Sequence, residues 1–198
     1  VQRAVIRRRR LVARKLDQIL VIDLEATCWE DAPPPGEQTE IIEVGLCVLD
    51  ASSGERLARR SILVIPERST VSPFCTALTT LTQEELKADG VSFEEACNIL
   101  RREHLSEERT WAGWGDYDRR EFHRQCDSFG IDYPFGQTHL NVKNLFAIAM
   151  GLESEVGLPK AMELLGLTQE GIHHRGMDDA WNIALILSHL LMRARQAT

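Results

Sequence analysis

Hydrophobic and polar positions change period several times along the chain, and each change marks an element. Ile19, Leu20, Val21 and Ile22 follow one another without a polar interruption, the pattern of a strand buried on both faces. The run ends in Asp23-Leu24-Glu25. After a loop over 31–38 (DAPPPGEQ), stiffened by three prolines, EIIEVGLCVL at 40–49 predicts a second strand and DASSG at 50–54 a hairpin turn. RSILVI at 60–65 predicts a third strand stopped by Pro66, so the chain opens with an antiparallel meander. Residues 70–82, with Ser72-Pro73, read as a loop. The period then lengthens. Thr82 with Glu85, and Ser92 with Glu95, have capping-box spacing, and Phe93, Ala96 and Leu100 share one helical face. A short fourth strand over 110–114 precedes helices over 117–129, 142–150, 158–165 and 177–195, the first three ended by Gly130, Gly151 and Gly166. Strands first, then strands and helices mixed, predict an α/β domain with a central mixed sheet flanked by helices.

A chain of 198 residues suits one domain with one sizeable core. No apolar run approaches membrane-spanning length, and the N-terminus lacks the apolar segment of a signal peptide. Cys28, Cys47, Cys75, Cys97 and Cys126 are scattered, with no Cys-x-x-Cys pair. That favours reduced thiols in a cytoplasmic protein, without a disulfide framework or zinc site. Charge divides the chain into a basic arm over 1–17 and a single domain over 18–195. Residues 1–18 hold six arginines and Lys15 against Asp17, a net +6, so the remainder carries −13 of the overall −7. An acidic body coats duplex nucleic acid poorly and suits a short strand gripped through metal ions. The arm is either an RNA tether or a solvated end.

Candidate chemistry sits where acids interrupt apolar faces. Asp23 and Glu25 are two apart in a strand and share one side of the sheet. Side by side they repel and resist desolvation. Either a divalent cation joins them through oxygen ligands, or the strand ends at Asp23 and both are solvated. Asp118 heads an inward stripe with Phe122, Cys126 and Phe129, whereas Asp116 leads an outward face. Asp118 is therefore a partner-seeking acid or a helix N-cap. In HHRGMDDA, Asp179 aligns with Ile183, Ile186 and Leu190 and faces the core, while Asp178 aligns with Asn182 and His189 and faces solvent. His174, five residues before Asp179, is either polar surface or a general base. Four inward acids and one histidine share a chemical use: two carboxylate-held metals activate water and stabilise the leaving oxygen in phosphodiester cleavage. Oxygen ligands favour Mg²⁺ or Mn²⁺.

The order Asp-x-Glu, Asp, then His-x-x-x-x-Asp resembles the DEDDh 3′→5′ exonucleases over about residues 18–190. The marks DLEATCW, EIIEVG, VSPFCTALTTLT, WGDYD, NVKNLF and HHRGMDDAWNIA are most similar to the branch of the histone-mRNA 3′-exonuclease and the bacterial KapD-like proteins. The resemblance implies a ribonuclease-H-like fold, two Mg²⁺ or Mn²⁺ ions, a single-stranded RNA substrate and nucleoside 5′-monophosphate products. It implies that Asp23, Glu25, Asp118 and Asp179 hold the metals and that His174 is the base. It also puts the terminal nucleotide against Glu25, Ala26, Thr27, Leu78, Leu81 and His174. One departure stands out: many relatives carry His-Asn ahead of the third acid, where this chain has Gly113-Trp114-Gly115. Trp114 and Tyr117 are candidates for base stacking or for buried packing, with packing favoured. The rival functions are a DNA-directed proofreading or repair exonuclease and a non-catalytic nucleic-acid-binding regulator of the same fold.

Overall fold

The computed structural model describes residues 15–196; residues 1–14 of the expected basic arm lie outside them. A five-stranded mixed sheet organises the domain, built from β1 (Lys15–Ala26), β2 (Ile41–Asp50), β3 (Arg56–Leu63), β4 (Arg109–Gly113) and β5 (His139–Asn141) in the order β3-β2-β1-β4-β5. β1, β2 and β3 form the expected antiparallel meander, while β4 runs parallel to β1 and β5 parallel to β4. β1 begins four residues before its apolar run. Its polar start is held by Lys15 N–H donating to the Glu108 carbonyl and by Asp17 pairing with Arg109 at 2.7 Å. Side-chain periodicity does not report such contacts.

Helices cover both faces. α1 (Pro73–Thr79), α2 (Gln83–Asp89), α3 (Phe93–His104), α4 (Tyr117–Phe129), α5 (Val142–Ala149), α6 (Leu158–Leu165) and α7 (Gly176–Gln196) complete the chain. Leu20, Ile22 and Leu24 of β1 enter a core with Phe93, Leu100 and Phe122, on the side of α3 and α4. Ile19 and Val21 enter a second core with Phe146, Met162, Ile183 and Leu187, on the side of α5, α6 and α7. Asp23 and Glu25 therefore continue the α7-facing row of β1, at the strand end.

β3 starts four residues earlier and ends two earlier than the expected 60–65, and two elements lie where the sequence reading placed none. Residues 73–79 form a helix where a loop was expected. The Ser72 hydroxyl accepts from Cys75 N–H and Pro73 occupies the first turn, which stabilises a helix too short to show an apolar period. β5 has three half-buried residues, too few for an alternating signal. The thiols are free; Cys75 Sγ donates to the Ala26 carbonyl at 3.5 Å and Cys126 Sγ to the Asp132 carbonyl at 4.0 Å. Among the described residues no helix is long and apolar enough to cross a membrane.

α7 crosses β2 at a contact only glycine permits. A Cβ on Gly45 would lie 1.8 Å from the Gly176 carbonyl carbon, and one on Gly176 would lie 2.9 Å from the Asp23 carbonyl oxygen. The first turn of α7 thereby lies directly over the end of β1 that carries the acids.

Candidate active site

Three segments deliver the four acids to one cleft. Asp23 and Glu25 come from β1, Asp118 from the first turn of α4, and Asp179 from the first turn of α7. Carboxylate oxygens of Asp23, Glu25 and Asp179 lie within 4.8 Å of one another. Asp118 is 4% exposed, and its Oδ1 accepts from Leu24 N–H at 3.2 Å, which fixes it across β1 from the pair. Gly113 makes room for it, since a Cβ there would lie 2.9 Å from Asp118 Oδ2. The cleft, about 410 Å³, is lined by these acids, by His173 and His174, and by the less polar Leu78, Trp114, Tyr117, Leu158 and Pro159.

The acids strain against one another. Burial raises Asp23 well above the usual carboxylate range, and Asp118, Asp179, Glu25 and Glu43 add repulsion. Burial also raises Glu25 to about 8, helped by Asp179, Glu43 and Asp118 and opposed by Arg175. Asp118 rises to about 7 through burial, partly offset by the Leu24 N–H. Such a site favours protons or cations over bare charge.

Asp179 is oriented by its own helix and by the loop before it. Its backbone N–H donates to the Arg175 carbonyl, while its Oδ2 accepts from His174 N–H at 2.8 Å. His174 adopts φ 63, a left-handed conformation costly for a residue with a Cβ. Burial lowers the His174 pKa, as does His173, against a raising pull from Asp179, so the ring is neutral at pH 7. His173 is also present: its Nδ1 lies 3.0 Å from Asp179 Oδ2, and its ring stacks on His174 at 4.0 Å.

Glu43 escaped the sequence reading. It is cross-strand partner to Glu25 and fully buried. Its carboxylate accepts from Gly176 N–H at 3.1 Å, Met177 N–H at 3.4 Å and Arg175 Nε at 3.3 Å. A carboxylate there satisfies free amides and the positive end of the helix dipole. Arg175 also donates to the Thr80 hydroxyl, linking the α7 entry to the end of α1. The sign was an acid between the apolar Ile41-Ile42 and Val44; only the fold shows what it meets.

Several sequence expectations need correction. Leu81 is fully buried with Ile42, Cys75 and Leu86, so it braces the α1–α2 turn and offers a nucleotide no surface. Thr27 is also fully buried, and its hydroxyl accepts from Glu40 N–H at 2.9 Å. Ala26 and Leu78 do line the cleft. Asp178 does not face open solvent: it accepts from Ile172 N–H at 2.9 Å and pairs with Arg59 at 3.2 Å. Asn182, placed on the same polar strip, is buried and donates to the Glu170 and Asp178 carbonyls. Tyr117 is not packed away; it is 45% exposed at the cleft.

With that geometry in hand, similarity to known proteins is informative. The Exonuclease (RNase T) family model matches residues 20–187. The human 3′-5′ exoribonuclease 1 is 30% identical over 184 residues, covering 88% of this chain and 52% of its own length. The Probable 3′-5′ exonuclease KapD of Bacillus subtilis is 28% identical over 83% of this chain and 80% of its own. Thus the chain spans about half the length of the human relative and most of KapD. Among solved structures, the nuclease domain of 3′hExo, described as a DEDDh family member bound to rAMP, superposes with a TM-score of 0.79. It is 27% identical over 92% of this chain and 95% of its own.

Proposed function

The chain belongs to the Exonuclease (RNase T) family, and on that footing we propose that it removes nucleotides one at a time from the 3′ end of short single-stranded RNA, releasing nucleoside 5′-monophosphates. The observation that carries this reading is the convergence of Asp23, Glu25, Asp118 and Asp179 on one cleft. The carboxylates of Asp23, Glu25 and Asp118 are pushed toward protonation, and Arg175 is the cation that offsets Glu25. An all-oxygen donor set under that repulsion fits hard divalent cations.

Two Mg²⁺ or Mn²⁺ ions held by the four acids would supply Lewis-acid chemistry, lowering the pKa of the attacking water and taking up charge on the leaving oxygen. The chain's own groups do the rest. His174, neutral at pH 7 for the reasons above, accepts the proton from the attacking water through a ring nitrogen. Asp179 holds the His174 backbone through its Oδ2. Leu78, Trp114 and Tyr117 form an apolar wall suited to the terminal base, since stacking tolerates any sequence. Ala26 brings main chain to the same end of β1.

The reading is tested with 5′-labelled RNA and DNA oligonucleotides of matched sequence, each with Mg²⁺ and with Mn²⁺. A one-nucleotide ladder, faster on RNA and abolished by Asp23→Ala, is expected. No ladder on either strand overturns the exonuclease reading; a faster DNA ladder overturns the substrate; an unchanged rate in Asp23→Ala overturns the metal assignment.

A further inference from the structure

The loop over 171–175 places a second, chemically different donor set beside the acids. His173, His174 and Asp179 each offer one ligand atom, and these atoms lie within 4.8 Å of one another. The set is two imidazole nitrogens and one carboxylate oxygen, whereas Asp23, Glu25 and Asp179 offer oxygen alone. Imidazole suits Zn²⁺ and its transition-metal neighbours, while Mg²⁺ prefers oxygen.

The loop is also held in shape. Arg175 N–H donates to the Ile172 carbonyl and Ile172 N–H to Asp178 Oδ2. The Arg175 guanidinium is tied to Glu43 and Thr80. Within that frame His174 takes φ 63, so two consecutive rings stack instead of pointing apart, 4.0 Å between centroids. His173 already directs Nδ1 at Asp179 from 3.0 Å, and its side chain is 39% exposed, leaving a path for an ion. Three protein ligands with one side open is the form of a zinc site that keeps an exchangeable position.

We propose that His173, His174 and Asp179 form a transition-metal site that takes Zn²⁺ in preference to Mg²⁺, and that filling it shuts the nuclease down. The inhibitory half rests on the function proposed above. An ion there draws Asp179 out of the oxygen-only set and occupies the ring nitrogen of His174 that would accept the proton. Excess Mg²⁺ competes poorly, because it has little use for imidazole.

Co²⁺, whose tetrahedral complexes absorb strongly in the visible, reads the site without reference to catalysis. The full chain, stripped with chelator and dialysed, is titrated with Co²⁺ and then back-titrated with Zn²⁺. One equivalent of an intense band, bleached by Zn²⁺, is expected in the parent protein and in Glu25→Gln. His173→Ala should lose it, as should His173→Gln, which guards against a packing artefact. Losing a direct ligand should weaken binding by no less than the roughly 10- to 100-fold that losing a supporting hydrogen bond costs. In oligonucleotide cleavage at saturating Mg²⁺, half-inhibition of His173→Ala, measured against its own uninhibited rate, should need about tenfold or more Zn²⁺ by the same argument. A weak octahedral spectrum, or an intense band that survives both His173 variants, overturns the site. Equal Zn²⁺ sensitivity in parent and variant overturns the inhibition. A His173-dependent band in a protein that cleaves nothing keeps the site and fails the exonuclease reading instead.

Discussion

Crowding four carboxylates into one cleft should make the metal-free protein less stable as pH rises, and Glu25 sets the size of the effect. Its folded pKa is about 8, against about 4.3–4.5 in an unfolded chain. Between those values the folded protein holds a proton that the unfolded chain has released, so stability is present at low pH and lost as pH climbs toward 8. The window from pH 6.5 to pH 8 is where this contribution is lost, and the raised Asp23 and Asp118 act in the same direction. Through its lower part and below it, His104, His139 and His174, whose pKa values are lowered, act with the opposite sign, because unfolding lets them charge. Above it, raised thiols such as Cys47 at about 12 begin to ionise in the unfolded chain. One retained proton over 1.5 pH units is worth about 2 kcal/mol at about 1.4 kcal/mol per unit.

For a domain of this size that amounts to about 4–8 °C in Tm. The assay is thermal unfolding of chelator-treated protein at pH 6.5, 7.2 and 8, repeated with excess Mg²⁺ and with Glu25→Gln. The stripped parent should fall by that amount. Mg²⁺ should abolish the fall, because a cation bound only to the folded form at 100 times its Kd contributes about 2.7 kcal/mol. Glu25→Gln, which cannot ionise, should show a shallower slope, with Asp23 and Asp118 supplying what is left, and be more stable than the parent at pH 8 without metal. A stripped parent whose Tm is flat or rising over this window would refute the reasoning, as would a Gln variant with an undiminished slope.

Three further outcomes follow from the same geometry. Glu43→Ala orphans the Gly176 and Met177 amides and leaves Arg175 half-buried without its carboxylate, so urea unfolding should show a loss of about 3–5 kcal/mol; Glu43→Gln, which keeps one acceptor, should lose less. Gly45→Ala puts a Cβ 1.8 Å from the Gly176 carbonyl carbon, and because that neighbour is backbone, the variant should unfold at markedly lower urea and lose its oligonucleotide ladder. Leu78 and Leu81 should separate cleanly. Leu81→Ala, from full burial, should cost about 2–5 kcal/mol of stability. Leu78→Ala, at the cleft and 37% exposed, should raise KM for the oligonucleotide with little change in Tm.

What the sequence discloses here follows the range of each interaction. Elements whose signal is local were legible: the caps at Thr82 and Ser92, each accepting from the third residue on, the Gly130 and Gly166 stops in left-handed conformation, and the meander. Asp118 and Asp179 were legible as inward acids because each heads an apolar helical stripe, and both are buried. Asp178 misled because a helical wheel knows nothing of the loop before the helix, whose Ile172 amide claims its oxygen. Thr27 and Leu81 misled because proximity in sequence to a cleft residue does not say which way a side chain turns. Leu78 and Leu81 lie three apart, yet α1 ends between them at Thr80, itself left-handed at φ 64.

The largest illegible feature is the α7 entry, and its physics explains why. Nothing about Glu43 is unusual until β2 is laid under α7 at the Gly45–Gly176 contact. Then a buried acid becomes the acceptor for the first amides of the helix that carries Asp179. That acid also repels Glu25 and Asp23, so it makes the metal-free cleft harder to ionise while it holds the helix start that carries Asp179 in place. Arg175 reconciles the two effects. It pairs with Glu43 at 3.3 Å and lowers the Glu25 pKa, leaving the fixed charge of Glu43 largely matched and the remaining carboxylates to be matched by bound cations. Removing the arginine should therefore steepen the pH dependence of the stripped protein, whereas removing Glu43 should flatten it, even though both lower stability at pH 6.5. Opposite changes of slope from two variants of one ion pair would not arise if the pair only anchored the helix.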